Sequence, residues 1–336
     1  MLALACGRSS LDACAWERCE EAEAGSAPTG QGGKVTPSGG ASAGKPAAGG
    51  RAGASGGFGG SAGSGGAQSG GAGAAGEAGA GGAPLDPPSV LLLLDGSTSM
   101  YDRQVWSPTY EALTGPGGPL DRFQRRVRFG FASYRGAGQT AEDDPACALM
   151  TSVDFGLSNT PAIREAYGGL STLPRWPPWE TPTGHALNRV VPGLLAEVDS
   201  TEKYILLISD GAPDTCATTN PQCGQDRAVF AVQQAFRAGI QTRAIGVGFG
   251  NEYPGCSPET ARCGSDHFQD IANAGRGLRV STPPAGYTQL PCIVETGGAL
   301  LAAYSDHADN APFYWTKSPQ EVADAVTAVL QEIVRD

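Results

Sequence analysis

The sequence predicts an α/β domain built on a doubly wound, mostly parallel sheet with helices on both faces and one short antiparallel edge strand. Short apolar runs alternate with segments of helical periodicity from about residue 87 to residue 336. Two of the runs, SVLLLLD (89–95) and KYILLISD (203–210), are nearly continuous, as in strands that are buried on both faces. Each ends in an Asp that is followed by Gly, which indicates a turn at the end of the strand.

Four further segments are predicted to be strands. They cover residues 126–134, 149–156, 240–250 and 312–318. The first of them alternates between apolar and polar residues, so we expect one of its faces to be wetter. The second is short and more polar, which is typical of a strand at the edge of a sheet. The third ends in GVGFG, which we interpret as a Gly-rich strand exit because it lacks the spacing of a dinucleotide-binding loop.

Helical spacing of apolar residues predicts the helices between these strands. They cover residues 162–170, 183–198, 226–239 and 266–275, and a final helix follows residue 318. Pro192 is expected to kink or break the second of these helices. The final helix is expected to begin with Ser318 as its N-cap and with Pro319 and Glu321 in its first turn, close to a capping box.

Composition divides the chain into three parts. Residues 1–24 form a short N-terminal segment with three of the nine cysteines. Residues 25–86 are almost entirely Gly, Ala and Ser, and such a tract has too little to bury to offset its conformational entropy. We therefore predict a disordered, flexible tether with a reach on the order of 45 Å. Residues 87–336 are expected to form one folded domain with one core.

The formal net charge of the chain is −11. The tether is slightly basic, so most of the net negative charge belongs to the folded part. This argues against nucleic acid as a partner, because phosphate binding needs a basic surface. The acidity fits a protein that attracts cations, and it fits equally a soluble acidic surface.

The nine cysteines predict disulfide bonds and therefore an oxidising, extracytoplasmic compartment. The sequence contains no CxxC pair and no histidine at zinc-ligand spacing from a cysteine. Proximity along the chain suggests which cysteines pair. The expected pairs are Cys14–Cys19, Cys216–Cys223, Cys256–Cys263 and, as the remainder, Cys147–Cys292.

The opening residues MLALACGRSS resemble the end of a bacterial lipoprotein signal, in which the cysteine after the cleavage point carries a lipid. The resemblance implies a lipid on Cys6 and a chain anchored at the outer surface of the bacterial cell envelope. Eight cysteines then remain, enough for four disulfides. The sequence has no apolar run of about 18 residues, so we expect membrane contact only through this lipid.

Oxygen-bearing side chains follow both of the apolar strands. Asp95, Ser97 and Ser99 stand at alternate positions after the first strand, and Asp210 ends the later one. The carboxyl ends of parallel strands meet at one edge of a sheet, where ligands bind. The segment TPTGHAL supplies a further hydroxyl, from Thr181 or Thr183. Carboxylate and hydroxyl oxygens are hard ligands that suit Mg²⁺ or Mn²⁺.

These three segments, DGSTSM, TPTGHAL and YILLISDGAPD, resemble the metal-site segments of von Willebrand factor type A domains in order and spacing. In that family an Asp-x-Ser-x-Ser motif, a later Thr and a later Asp form a metal ion-dependent adhesion site. The resemblance covers about residues 87–336. It implies a set of metal ligands in this chain. They are Asp95, Ser97, Ser99, Thr181 and Asp210.

The resemblance also implies a function, which is divalent-cation-dependent protein binding or adhesion. The acidic side chain of a protein ligand would complete the shell of the Mg²⁺ or Mn²⁺ ion. Family members often have Gly-Gly before the Thr, whereas this sequence has Trp179 and Glu180. Glu180 either alters the preference for metal or ligand or points to solvent.

The domain is longer than a minimal family member, and the excess is expected in loops. These loops cover about residues 102–122, 135–147, 211–225, 250–266 and 282–312. Some aromatic and histidine side chains fall on predicted loops or helix ends. Trp106, Trp176 and Trp179 are expected on loops beside the site or in local packing, His185 in the first turn of a helix, and His267 and His307 in solvated loops.

Other functions remain open on sequence grounds. Asp95, Ser97 and Ser99 also suit a turn and a helix N-cap. The same residues could serve a metal-dependent hydrolase or phosphotransferase, or form a vestigial site in a structural surface protein. The sequence contains no G-x-S-x-G elbow, and a phosphotransferase of the haloacid-dehalogenase type usually has an Asp where Ser97 stands. We therefore expect a protein that is not an enzyme.

Overall fold

The computed structural model describes residues 86–137, 147–172, 180–198, 202–211, 213–216, 221–249, 264–282, 301–305 and 309–335. The predicted N-terminal segment and nearly all of the tether lie outside these residues. The strands are β1 (Ser89–Asp95), β2 (Arg128–Arg135), β3 (Leu149–Gly156), β4 (Lys203–Ser209), β5 (Ile240–Val247) and β6 (Tyr314–Thr316). The helices are α1 (Thr98–Asp102), α2 (Trp106–Thr114), α3 (Pro119–Phe123), α4 (Thr160–Leu170), α5 (Thr183–Ala196), α6 (Pro221–Arg237), α7 (Gly264–Gly275) and α8 (Pro319–Ile333).

The six strands form one sheet in the order β3-β2-β1-β4-β5-β6. All neighbouring pairs are parallel except β2 and β3, which are antiparallel. The predicted fold class, with a mostly parallel sheet and one antiparallel edge strand, is therefore confirmed. The strand order reverses between β1 and β4, and this is the place where a doubly wound sheet opens a crevice at the carboxyl ends of its strands.

Helices cover both faces of this sheet because the side chains of each strand alternate between two cores. Val90, Leu92 and Leu94 of β1 belong to a buried cluster with residues of α2, α3, α4 and α8. Leu91 and Leu93 belong to a second cluster, with residues of α5, α6 and α7. Every residue of β1 is buried, as its continuous apolar sequence predicts.

The predicted wetter face of β2 is wrong. Phe129 and Phe131 point into the first core and Ala132 and Tyr134 into the second, so the strand is buried along its whole interior. Its alternation comes from Gly and Ser at positions where small residues fit. Gly130, for example, lies so close to the ring of Phe155 that a Cβ would come within 2.7 Å of it.

The segment expected to be a loop after β1 instead forms α1, α2 and α3, which complete the first core. Trp106 at the start of α2 is 2% exposed, and its ring nitrogen donates to the hydroxyl of Ser171. Trp106 is therefore a core residue, and its placement on a loop is corrected. These helices are short, from five to nine residues, so helical periodicity had little length in which to appear.

Pro192 does not break α5, which runs from Thr183 to Ala196 with the proline inside it. A proline removes the hydrogen bond to the carbonyl four residues earlier, here that of Asn188. Both Pro192 and Asn188 are exposed, so solvent can reach the carbonyl that loses its partner.

The predicted N-cap of the final helix is confirmed. Ser318 caps α8 by accepting a hydrogen bond from the backbone N–H of Glu321 at 3.2 Å. The carboxylate of Glu321 in turn accepts a hydrogen bond from the backbone N–H of Lys317. Gly246 and Gly248, at the end of β5, make room for the indole of Trp315, which would lie 2.3 Å and 2.9 Å from added Cβ atoms. None of the helices in the described part of the chain has the length and apolarity to cross a membrane.

Candidate metal centre

The site begins where β1 ends, at a completely buried carboxylate. Asp95 accepts a hydrogen bond from the backbone N–H of Ser97 on Oδ1 at 2.8 Å and one from the hydroxyl of Ser209 on Oδ2 at 2.6 Å. Gly96 lies against β2, where a Cβ would come within 2.7 Å of the hydroxyl of Ser133. Only a glycine lets the loop approach the sheet this closely.

Side-chain hydrogen bonds join this loop to the end of β4. The hydroxyl oxygens of Ser97 and Ser99 are 3.0 Å apart, and Ser99 donates to Oδ1 of Asp210 at 2.8 Å. The structure thus brings together residues that are separated by 111 positions. Ser97 is the N-cap of α1 by position, but its side chain makes no capping hydrogen bond, so helix capping does not explain its hydroxyl.

The threonine loop is fixed between β2 and the segment after β4. Tyr134 is the partner of Asp95 on the neighbouring strand. Its hydroxyl oxygen is 2.8 Å from the hydroxyl oxygen of Thr183, within hydrogen-bond distance. The backbone carbonyl of Thr181 accepts from the N–H of Asp214 at 2.9 Å, and Thr181 is buried. The hydroxyl of Thr183 is therefore already engaged, which favours Thr181 as the ligand. Its place in the ligand set stays a prediction.

The electrostatics of Asp95 and Asp210 fit a cation. Burial raises the pKa of Asp95, and burial together with the charge of Asp95 raises the pKa of Asp210 to about 7. Oδ2 of Asp210 is buried and accepts no hydrogen bond from the described residues. Such an oxygen beside two serine hydroxyls is a ligand set that a hard divalent cation would satisfy.

Glu180 does not simply point to solvent. Its side chain is half-buried and lies close to the carboxyl of Asp214. Burial, and then the nearby Glu180, raise the pKa of Asp214 to about 7. Since the Asp214 backbone also bonds to Thr181, this acid pair lies at the rim of the candidate centre.

We expect the free energy of unfolding of the metal-free protein to fall as the pH rises from about 5 to about 7. The pKa values of Asp210 and Asp214 are raised from 3.8 to about 7, so the folded state keeps protons that the unfolded state has released. A raised pKa stabilises the folded state at low pH, and this contribution disappears as the pH passes the folded-state value. Urea unfolding of the chelator-treated chain at a series of pH values measures this dependence.

The control for this pH prediction is a double variant, Asp210→Asn with Asp214→Asn. Because it lacks both titrating groups, its free energy of unfolding should change less over the same interval. A wild-type stability that is constant or rises from about pH 5 to about 7 would contradict the prediction.

One disulfide lies beside the centre and corrects two predicted pairs. Cys147 at the start of β3 is bonded to Cys216, and Cys223 is itself disulfide-bonded. The expected pairs Cys147–Cys292 and Cys216–Cys223 are therefore wrong. Cys216–Cys223 had been chosen by proximity along the chain and Cys147–Cys292 as the remaining pair, whereas folding brings together cysteines that are 69 residues apart. The other predicted pairs lie outside the described residues.

His185 lies next to this disulfide, and its ring nitrogen and the two sulfur atoms are within 4.8 Å of one another. A soft-metal site would need both sulfurs as thiolates, and the disulfide removes them as ligands. The Asp/Ser cluster is therefore kept as the candidate metal centre. His185 is half-buried in the first turn of α5, as predicted.

The other residues singled out in the sequence are either placed differently by the structure or not described by it. His267 was expected in a solvated loop but is buried in α7, at 3% exposure. The remaining predicted residues, Cys6, Trp176, Trp179 and His307, lie outside the described residues. Sequence reasoning missed Ser209, Tyr134 and Arg103. Of these, Ser209 had a signal, because it directly precedes the Asp at the end of β4.

No protein-family model matches the sequence, and no curated protein matches it either. Solved structures with a similar fold include the pilus adhesin SpaC from Lactobacillus rhamnosus GG, at 15% identity over 75% of this chain and 30% of that chain, with a TM-score of 0.46. BatB from Bacteroides thetaiotaomicron is 15% identical over 74% of this chain and 100% of its own, with a TM-score of 0.45. Manganese-loaded TRAP protein from Plasmodium vivax is 15% identical over 74% of each chain, with a TM-score of 0.41. These similarities concern the fold alone.

Proposed function

We propose that residues 87–336 are a von Willebrand factor type A domain that binds a protein ligand through a divalent cation, Mg²⁺ or Mn²⁺. The proposed ligands of the cation are Asp95, Ser97, Ser99, Thr181 and Asp210. One observation carries the proposal, which is the unbroken chain of polar contacts from Ser209 through Asp95, Ser97 and Ser99 to Asp210. This chain lies at the reversal of strand order, where doubly wound sheets bind ligands.

The residues of this centre have separate tasks. Ser209 and the N–H of Ser97 hold both oxygens of Asp95, and Ser99 holds one oxygen of Asp210. The serine hydroxyls are neutral, so the set supplies two negative charges. A bound divalent cation would contribute a Lewis-acidic centre for the carboxylate of a ligand. An acidic side chain of a partner protein is therefore the ligand chemistry that we propose.

A defined carboxylate probe tests this function without knowledge of the partner. Mn²⁺ bound to the full chain should enhance the relaxation of water protons, because water fills the open coordination positions. Acetate should lower this enhancement by replacing water, whereas acetamide at the same concentration should not. An enhancement that acetate leaves unchanged would contradict carboxylate binding, and wild-type protein that gives no enhancement would contradict the metal centre itself.

We also propose an extracytoplasmic location at the bacterial cell surface, with a lipid on Cys6 and residues 25–86 as the tether. The disulfide between Cys147 and Cys216 supports an oxidising compartment. The lipid is tested by the mass of the native N-terminal peptide. An unmodified thiol on Cys6 would remove the anchor from the proposal and leave the binding function unaffected.

We propose that the domain binds and does not catalyse. The hydroxyl of Ser99 donates to a carboxylate that belongs to the candidate metal shell, which leaves this serine committed to the centre. The alternative is a metal-dependent hydrolase or phosphotransferase that uses the same residues. Turnover of simple phosphoesters or carboxylic esters by the wild-type chain, lost in Asp95→Ala, would overturn the proposal in favour of this alternative.

A further inference from the structure

A positively charged side chain contacts the proposed centre directly. Arg103 donates from Nη1 to the backbone carbonyl of Asp210 at 2.9 Å, and the same nitrogen is 3.4 Å from Oδ2 of Asp210. This is the carboxylate oxygen that accepts no hydrogen bond from the described residues. The side chain of Arg103 is 27% exposed, whereas that of Asp210 is 0% exposed. The guanidinium therefore reaches a buried carboxylate from the rim of the site.

The fold holds Arg103 in this place through the end of α1. Arg103 is the C-cap of the helix, and Gln104 after it has a φ of 58°, in the left-handed region. The N–H of Gln104 bonds to the carbonyl of Tyr101, and the N–H of Val105 bonds to that of Met100. These two hydrogen bonds form a Schellman motif, which fixes the backbone at the C-cap.

The charge of Arg103 also acts on both acidic residues of the centre. Burial raises the pKa of Asp95 and of Asp210, and the positive charge of Arg103 works against that rise in each. Two buried carboxylates repel each other and lose hydration, and a nearby cation lowers both costs. When no metal is bound, the guanidinium of Arg103 is the positive charge that the described residues place beside Asp210.

We propose that Arg103 is a built-in counterion of the site, which stabilises Asp210 in the metal-free protein and competes with a divalent cation for it. The proposal rests on the proposed metal-binding function and adds to it a residue that regulates the affinity. Arg103 approaches the same carboxylate oxygen that a metal would need. A cation of charge +2 placed there repels the guanidinium, so metal binding must weaken or displace the contact between Arg103 and Oδ2.

The test compares Arg103→Gln with the wild-type full chain at pH 8 and low ionic strength. Free Mn²⁺ is measured by its electron paramagnetic resonance signal during titration. Arg103→Gln is expected to bind Mn²⁺ more tightly by roughly five- to tenfold, the lower part of the range for coupled sites. A merely structural arginine would not give tighter binding when it is removed. Equal or weaker binding by Arg103→Gln would overturn the competition.

Two variants serve as controls. Arg125→Gln removes an exposed positive charge. No contact between Arg125 and Asp210 is found among the described residues, so this variant should bind Mn²⁺ as the wild type does. Arg103→Lys keeps the charge and should restore most of the wild-type affinity. If Arg125→Gln tightens binding as much as Arg103→Gln does, the effect is one of net charge, and the specific role of Arg103 is wrong.

A second measurement does not depend on metal. In the presence of a chelator, Arg103→Gln should have a lower unfolding temperature than the wild type, and Arg103→Lys should be close to the wild type. An unchanged unfolding temperature in Arg103→Gln would overturn the counterion role. Absence of Mn²⁺ binding in the wild type itself would instead overturn the proposed function, so the two failures are distinguishable.

Discussion

Asp95→Asn is expected to abolish binding of Mn²⁺ and at the same time to stabilise the metal-free protein. The variant removes one of two buried carboxylates, so Asp210 loses the nearby negative charge that raises its pKa. The amide of Asn can still accept from the N–H of Ser97 and can donate to the hydroxyl of Ser209, which preserves the loop. Replacing residues that only support metal ligands typically costs 10- to 100-fold in affinity, so loss of a direct ligand should exceed about 100-fold.

Calorimetric titration with Mn²⁺ and urea unfolding in a chelator measure the two effects of Asp95→Asn. The matched control is Asp324→Asn, which changes an exposed carboxylate on α8 and should leave both unchanged. Unchanged heats of Mn²⁺ binding in Asp95→Asn would show that Asp95 is not a ligand. Loss of folding in the variant would contradict the expectation that the amide preserves its hydrogen bonds.

The double variant Cys147→Ser with Cys216→Ser is expected to lower the free energy of unfolding by about 4 kcal/mol. The bond closes a segment with a sequence separation of 69, and in the chain-entropy model a loop of this length contributes about that amount. It also ties the segment after β4 to the start of β3. Since Asp214 in that segment bonds to the backbone of Thr181, we expect weaker Mn²⁺ binding as well.

The single variants Cys147→Ser and Cys216→Ser provide the internal control for this prediction. Either substitution breaks the same bond, so each should lose nearly what the double variant loses, and the effects should not add. Urea unfolding without reducing agent measures all three. A double variant that loses less than about 1 kcal/mol would show that the disulfide contributes little to stability.

Local sequence patterns were enough to predict the sheet and the two segments of the candidate centre that follow β1 and β4. The apolar runs of β1 and β4 are visible without any tertiary information, because strands buried on both faces need apolar residues at every position. Asp95 and Asp210 follow directly from those runs, since each ends a strand. Ser97 and Ser99 follow from their spacing after Asp95.

The rest depended on contacts between distant segments. The partner of Cys147 is set by how β3 and the segment after β4 meet, which spacing alone does not give. Arg103 contacts Asp210 from the C-cap of α1, where the helix ends in a Schellman motif. The left-handed position of that motif is usually a glycine, but here it is Gln104, so the sequence does not indicate where the helix ends. The engagement of Thr183 by Tyr134 likewise appears only when β2 is placed beside β1.

Trp106 has a consequence for how the centre can be observed. The ring lies beneath the loop after β1, where a methyl group added to Gly96 would be 3.8 Å from it, and it stacks on Tyr101 of α1 with ring centroids 4.7 Å apart. The indole is buried, so its surroundings are protein side chains and backbone. A displacement of the DGSTS loop would change the packing of a native chromophore, and the fold thereby carries an optical reporter beside the candidate metal centre.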